Sequence, residues 1–260
     1  AKEHPDAVAL CFSGAHFRYA EIYTQVNRLA DSLRALGCKA GMRIAYAAGN
    51  RPEAVTVCYA AARLGAVLAP VSADGSNDET LSKLKIIAPE IVFYDEKSVR
   101  LSALAAKQVP SLRHAVVMGS AVQRRGCLRY DQLLADGRDL YYRESGDGSE
   151  PCLIFFTSGF TDTPKAAAFS HNSLIGYIDN AFAGTPIEPH GAGLLSMPIY
   201  NIAGFISILS TFFFSRRLVM MSHFDAGSWI KTVRDERVTR AFIPPYQLSA
   251  VLAHPDMNHK

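Results

Sequence analysis

The 260-residue sequence is poor in several features that would narrow its function at once. It has five cysteines, Cys11, Cys38, Cys58, Cys127 and Cys152, an odd number with wide spacing and no Cys-x-x-Cys pair. That argues against a disulfide framework, a cysteine-rich zinc module and a dithiol redox motif. Most of the five sit in apolar runs and read as small core residues in a reducing compartment. Charge of one sign is also scarce: Lys and Arg exceed Asp and Glu by 27 − 24 = 3. Such a surplus gives no reason to expect nucleic acid or an anionic membrane as partner. The longest uncharged stretch, residues 191–215, is broken by Pro198, Asn201 and glycines, so it reads as a strand and a buried helix rather than a transmembrane segment. The first ten residues carry acids and a proline where a signal peptide is apolar, and a cytoplasmic location is expected. No Gly-x-Gly-x-x-Gly marks a dinucleotide fold, and no Gly-x-Ser-x-Gly marks an α/β-hydrolase.

What is present is apolar material that alternates in period. Hydrophobic residues make up 49% of the chain and charged ones 20%, enough for a large core without covalent staples. Residues 19–36 place Ile22, Val26, Leu29, Leu33 and Leu36 on one helical face, and Gly37 stops the helix. Residues 43–48 read as a buried strand. Asn50-Arg51-Pro52-Glu53 reads as a helix start, with Asn50 as the cap, a proline near the first turn and an acid facing the dipole. That alanine-rich helix runs to Leu64, Gly65 ends it, and residues 66–71 form the next strand. Strand, helix and strand within about thirty residues make a βαβ unit with parallel strands. The alternation continues with helices at 78–87, 98–107 and 171–182. Further strands fall at 91–94, 114–118, 152–156, 166–169, 194–197, 218–221 and 239–243, and residues 144–151 read as a loop. The expected fold class is layered α/β.

Between the strands at 152–156 and 166–169 lies Thr157-Ser158-Gly159-Phe160-Thr161-Asp162-Thr163-Pro164-Lys165. Hydroxyls and backbone N–H groups are donors and Lys165 adds a point charge, so such a turn between buried strands can cradle phosphate oxygens. It is not a Walker A loop, because Pro164 stands at the second glycine position and no glycine precedes Lys165. A plain polar hairpin loop uses the same residue types, and composition alone favours that reading.

The order of residues is more specific than their composition. The segment resembles the phosphate loop of the adenylate-forming superfamily: acyl- and aryl-CoA synthetases, peptide-synthetase adenylation domains and luciferases. That loop reads Thr-Ser-Gly-Ser/Thr-Thr-Gly-x-Pro-Lys-Gly, and the strand after it ends in Ser/Thr-His. Thr157, Ser158, Gly159, Thr161, Pro164, Lys165 and His171 match in order. Phe17-Arg18-Tyr19-Ala20-Glu21, Gly65-Ala66-Val67 with Pro70-Val71, Pro198-Ile199-Tyr200-Asn201 with Gly204, Phe224-Asp225, and Val238-Thr239 with Ile243-Pro244 resemble further family landmarks. The resemblance covers nearly the whole chain.

It implies carboxylate activation by an acyl-CoA-synthetase-like ligase. ATP and a carboxylic acid give an acyl-adenylate and pyrophosphate, and the thiol of coenzyme A, or of a carrier protein, then takes the acyl group. Carried over as phosphate contacts are Thr157, Ser158, Gly159, Thr161, Thr163 and Lys165, with Lys165 and Thr161 as the catalytic pair and Thr161 as the magnesium contact. Tyr200, Asn201 and Gly204 fall where the family lines the acyl pocket. Tyr200 and Asn201 have a second reading, as a strand end and the cap of the apolar helix that follows. His171 reads as a histidine at a strand-to-helix junction, and His254 and His259 as solvated. The implied fold is a layered two-lobe α/β sandwich, with residues of about 37–190 in one lobe and 1–36 plus 191–260 in the other. The family's later barrel and C-terminal domain would follow Lys260, so the chain is expected to be an N-terminal fragment and inactive or nearly so alone.

Three loop positions depart from the family pattern: Phe160 replaces a small hydroxyl residue, and Asp162 and Ala166 replace glycines. Asp162 sets a negative charge beside a triphosphate site. At a few ångströms and an effective dielectric of about 20, that repulsion is on the order of several kcal/mol per pair before screening. Two alternatives follow: a homologue that only forms the thioester from a supplied acyl-adenylate, and a non-catalytic binding module.

Overall fold

In chain order the elements are β1 (Val8–Phe12), β2 (Ala15–Arg18), α1 (Tyr19–Ala35), β3 (Arg43–Ala47), α2 (Glu53–Arg63), β4 (Val67–Pro70), α3 (Asn77–Ile87) and β5 (Ile91–Tyr94). Then come α4 (Ser102–Gln108), β6 (His114–Val117), β7 (Leu128–Arg129), α5 (Tyr130–Asp136), β8 (Pro151–Thr157), β9 (Lys165–Ser170) and α6 (His171–Ala181). The last are β10 (Ala192–Leu195), α7 (Ile202–Phe213), β11 (Arg217–Met220), α8 (Ala226–Asp235), β12 (Arg240–Ala241) and α9 (Pro245–Leu252). The computed structural model describes residues 1, 3–119, 124–142, 146–157, 164–183 and 191–258, with the backbone alone for Thr157 and Asn258. Two compact units form: Ala1–Ile22 with Asn50–Pro52 and Phe182–Lys260, and Tyr23–Gly49 with Glu53–Ala181.

The larger unit is built on a seven-stranded sheet in the order β7-β6-β5-β3-β4-β8-β9. Every pairing is parallel except β8 with β9. Its central strands, Arg-Ile-Ala-Tyr-Ala and Val-Leu-Ala-Pro, are apolar nearly throughout, as strands covered on both faces must be. On one face Ala45, Ala47, Ala69, Val92 and Tyr94 pack with Leu81, Leu84 and Ile87 of α3 and Ala105 of α4. The alternate residues Ile44, Tyr46, Ile91 and Phe93 are also buried, and Phe93 meets Tyr130 of α5 edge-on with ring centres 6.5 Å apart. Val26, Leu29, Ala30 and Leu33 of α1 are buried, which bears out the periodicity read from the sequence.

Asp31 ties α1 to the segment after α5. Arg138 reaches its carboxylate with Nε at 3.0 Å, Nη2 at 3.1 Å and its backbone N–H at 3.0 Å, and the Tyr142 hydroxyl donates at 2.5 Å. The guanidinium fork, with the Tyr142 hydroxyl, holds the Asp31 carboxyl well below the usual carboxylate range.

The smaller unit carries a five-stranded sheet in the order β12-β10-β11-β1-β2, parallel except for the β1–β2 hairpin. The turn between them is Ser13-Gly14, with φ of +49° and +80°, the left-handed pair that a tight two-residue hairpin demands. Cys11, Ala192, Leu194, Val219 and Met221 form a cluster that Trp229 and Val233 of α8 pack against. On α7, Phe205, Ile208 and Thr211 are buried. Gly193 in β10 admits that helix, because a Cβ there would stand 2.7 Å from Thr211 Oγ1.

Asn50 corrects the sequence reading. The sequence pattern predicts a cap of α2, but its side chain makes longer-range bonds. Nδ2 donates to the carbonyls of Met197 at 2.9 Å and Met221 at 3.0 Å, and Oδ1 accepts from the Ile199 N–H at 2.9 Å. Buried at 6% exposure, it joins the segment after β10 to the residue after β11. The strands β1, β2 and β7 and the helices α5 and α9 were also absent from the sequence reading.

Candidate functional site

The segment of greatest chemical interest hangs between β8 and β9. These strands pair antiparallel from Leu153↔Phe169 through Phe156↔Ala166 to Thr157↔Lys165, so the residues between Thr157 and Lys165 close a hairpin. Phe155 and Phe169 meet edge-on across the pair, with ring centres 6.4 Å apart. β8 runs parallel to β4, and β4 to β3, so the loop leaves from the carboxyl end of the parallel strands. Open α/β sheets bind their ligands at that end, because loops there are free of the ladder while their stems are fixed.

One expectation about the stems needs correcting. The sequence places the loop between two buried strands, but β9 is the outer strand of the sheet, and Lys165, Ala166 and Ala168 are exposed. The small side chains of β9 fooled the hydropathy reading: alanines suit either environment. Lys165 is thus the first residue of an exposed edge strand. Ser158, Gly159, Phe160, Thr161, Asp162 and Thr163 lie outside the described residues, as does the Thr157 side chain.

Directly after β9, Ser170 and Ser173 cap α6 reciprocally: Ser173 N–H donates to Ser170 Oγ at 3.2 Å, and Ser170 N–H to Ser173 Oγ at 3.0 Å. His171 opens that helix half-buried, and desolvation pushes its pKa below the ordinary histidine value. Asn172 holds the loop before β8, its N–H donating to Gly148 O at 3.0 Å and its Nδ2 to Asp147 O at 2.9 Å. Gly148 sits at φ +79°, and a Cβ there would meet Asn172 Oδ1 at 2.5 Å. Both stems of the hairpin are therefore tied to the start of α6.

Tyr200, Asn201 and Gly204 come together in the smaller unit, where β10 passes into α7. Asn201 is the N-cap of α7: its Oδ1 accepts from the Ala203 N–H at 2.9 Å. Gly204 lets the first turn of α7 lie against the preceding backbone, since a Cβ there would stand 2.4 Å from Pro198 O. Sequence reasoning missed Asn50, which bonds the same 197–199 segment; a buried asparagine gives no sign in sequence of partners so distant. His254 is half-buried, its Nδ1 3.8 Å from Asp256 Oδ2, and His259 lies outside the described residues.

The architecture defines an α/β protein of mainly parallel sheets with its distinctive loop at the carboxyl end of the parallel strands. Comparison with known families makes the assignment particular: residues 1–260 match the AMP-binding enzyme family, and the chain belongs to it. Feruloyl-CoA synthase of Amycolatopsis sp is 28% identical over 260 residues, covering 98% of this chain and 49% of that protein. Indoleacetate–CoA ligase of Aromatoleum aromaticum is 27% identical over 258 residues, covering 96% of this chain and 49% of that protein. The chain thus spans about half the length of the curated relatives it matches.

Two solved structures share the fold. The anthranilate CoA ligase AuaEII in complex with anthranoyl-AMP superposes with a TM-score of 0.92 at 16% identity, over 98% of this chain and 50% of that one. The N-terminal domain of FACL13 from Mycobacterium tuberculosis gives 0.89 at 21%, over 99% and 64%. The expected α/β fold of an adenylate-forming N-terminal domain is borne out. No helix among the described residues is long and apolar enough to cross a membrane.

Proposed function

We propose that this chain is the phosphate-loop-bearing part of an ATP-dependent acid–thiol ligase that activates a carboxylic acid as its adenylate and passes the acyl group to coenzyme A. The observation that carries the reading is the position of the 157–165 motif. A family-specific order of Thr, Ser, Gly, Thr, Pro and Lys occupies a hairpin at the carboxyl end of the parallel strands, in a chain matched to the family from end to end.

Attack of the carboxylate on the α-phosphate releases charge onto pyrophosphate. Thr157, Ser158, Gly159, Thr161, Thr163 and Lys165 would stabilise that charge with hydroxyls, backbone N–H groups and one ammonium. This donor set fits a triphosphate, and magnesium held beside Thr161 would supply further neutralisation there. Tyr200, Asn201 and Gly204 would border the acid. Asn201 commits Oδ1 to the cap of α7, so its amide N–H groups are what it can offer a carboxylate.

An aryl or arylalkyl acid is the favoured substrate class. Feruloyl-, indoleacetate- and anthranilate-CoA ligases are all among the proteins this chain resembles. A second reading rests on Phe160 and Asp162, whose bulk and charge oppose ATP: the loop would have lost adenylation, leaving thioester formation from a supplied acyl-adenylate.

The test assays both half-reactions in the natively expressed protein. ATP–pyrophosphate exchange is run over cinnamic, indolic, benzoic and fatty acids, and thioester formation is run from synthetic acyl-adenylate and coenzyme A. Exchange selective for aryl acids supports the first reading. Thioester without exchange supports the second. Silence in both, from folded protein, overturns both and leaves a binding module.

A further inference from the structure

Outside the loop, the described residues contain one group of three metal-ligating side chains: Cys11, His16 and Glu236, whose ligand atoms lie within 4.8 Å of one another. The fold explains why they meet. Cys11 and His16 are direct partners across the β1–β2 hairpin, and opposed residues of an antiparallel pair project from the same face. That face is the one α8 covers, and Glu236 is the C-cap of α8. The free carbonyls of a helix C-terminus add negative potential there, which favours a cation. His16 Nε2 stands 3.6 Å from Glu236 Oε1.

From this geometry we propose a zinc site formed by Cys11 Sγ, His16 Nε2 and Glu236 carboxylate, with water from the open His16 side as fourth ligand. Thiolate, imidazole and carboxylate together suit zinc, whereas an all-oxygen set suits magnesium or calcium. Bonds of about 2.0–2.3 Å place tetrahedral ligands about 3.3–3.8 Å apart, so the three groups must close by about an ångström. His16, with half its side chain in solvent, has room to do so.

Arg217 is the resident competitor. Its Nη1 lies 2.7 Å from Glu236 Oε2 and 3.7 Å from Cys11 Sγ, so a guanidinium now answers the charge that the metal would take. Its Nη2 donates to the Glu236 backbone carbonyl, an anchor that remains when the carboxylate turns to the metal. Without metal the Cys11 thiol stays protonated, pushed up to about 11 by burial and by Glu236. Binding releases that proton to solvent and forms the Zn–S bond. The bound ion would clasp the β1–β2 hairpin to the end of α8.

The experiment uses the whole untagged chain titrated with Zn2+ by calorimetry and with Co2+ by absorption, together with thermal melts across the zinc series. The expected result is one ion per chain, a sulfur-to-cobalt charge-transfer band, and a Tm that rises with zinc. Cys11→Ser should abolish the band, and exposed His16→Ala should weaken binding about tenfold or more. Arg217→Leu should tighten it. Absence of the band in wild type would overturn the site. A band that persists in folded Cys11→Ser would also overturn it, since another cysteine would then be the ligand. His16→Ala keeps the test decisive if Cys11→Ser fails to fold: unchanged zinc affinity there rules the site out.

Discussion

Two hairpins of this chain use the same device and reach different ends. In each sheet one antiparallel strand closes an otherwise parallel edge: β2 on the five-stranded sheet and β9 on the seven-stranded one. Both turns lie at the end where the parallel strands finish. The β1–β2 connection is two residues in left-handed conformation, Ser13 and Gly14. The β8–β9 connection is longer, residues 158–164, rich in hydroxyls and followed by a lysine. A tight turn fixes register and puts the chemistry on the strand faces, here Cys11 opposite His16. A long loop on fixed stems frees backbone and side-chain donors for a ligand.

The comparison predicts that changes in the long hairpin connection alter activity without stability, and that changes in the tight one do the reverse. The largest effect is expected from Lys165→Ala, which should lower ATP–pyrophosphate exchange about a hundredfold or more with an unchanged melt. Next is Asn50→Ala, which leaves two carbonyls and an N–H without their bonds in a buried setting. A loss of about 3 kcal/mol in denaturant unfolding is expected.

Asp31→Asn should cost about 2 kcal/mol, since the Arg138 fork and the Tyr142 hydroxyl lose their anion. The same group predicts a pH dependence. Its folded pKa lies below the unfolded value, so its stabilisation is complete above the ordinary carboxylate pKa. It should fade as pH falls below about 4 towards the depressed folded value, narrowing the gap between the melts of wild type and Asp31→Asn. The smallest effect is Gly14→Ala, at φ +80°, expected to cost about 1 kcal/mol and to leave exchange untouched. Activity loss in Gly14→Ala, or melting loss in Lys165→Ala, would break the comparison.

Much of the fold is legible locally. The βαβ run from β3 to β4 is readable because proline, alanine and glycine mark its helix from both ends, and its strands are apolar on both faces. Short elements are less readable. Val8–Phe12 is an apolar run like any core segment, and only Ser13-Gly14, read as a hairpin turn, would have marked β1 and β2. β7 has two residues and therefore no period to detect. Asn50 misleads because its neighbours Arg51-Pro52-Glu53 look like a helix start, while its true partners stand about 150 residues on, at Met197, Ile199 and Met221. For the candidate site, the motif is plain in the residue order, and the pairing Thr157↔Lys165 fixes where its ends sit. That β9 is an exposed edge was hidden, because strand order is a long-range property that alanines do not report.

The central claim is that the chemistry of this chain resides in the β8–β9 loop. The most direct measurement is ATP–pyrophosphate exchange with an aryl acid in the natively expressed protein, as wild type, Lys165→Ala and Asp162→Gly, each with its thermal melt. The account predicts exchange in wild type, loss of it in Lys165→Ala, a gain in Asp162→Gly and three matching melts. Exchange in Lys165→Ala equal to that of wild type would contradict it.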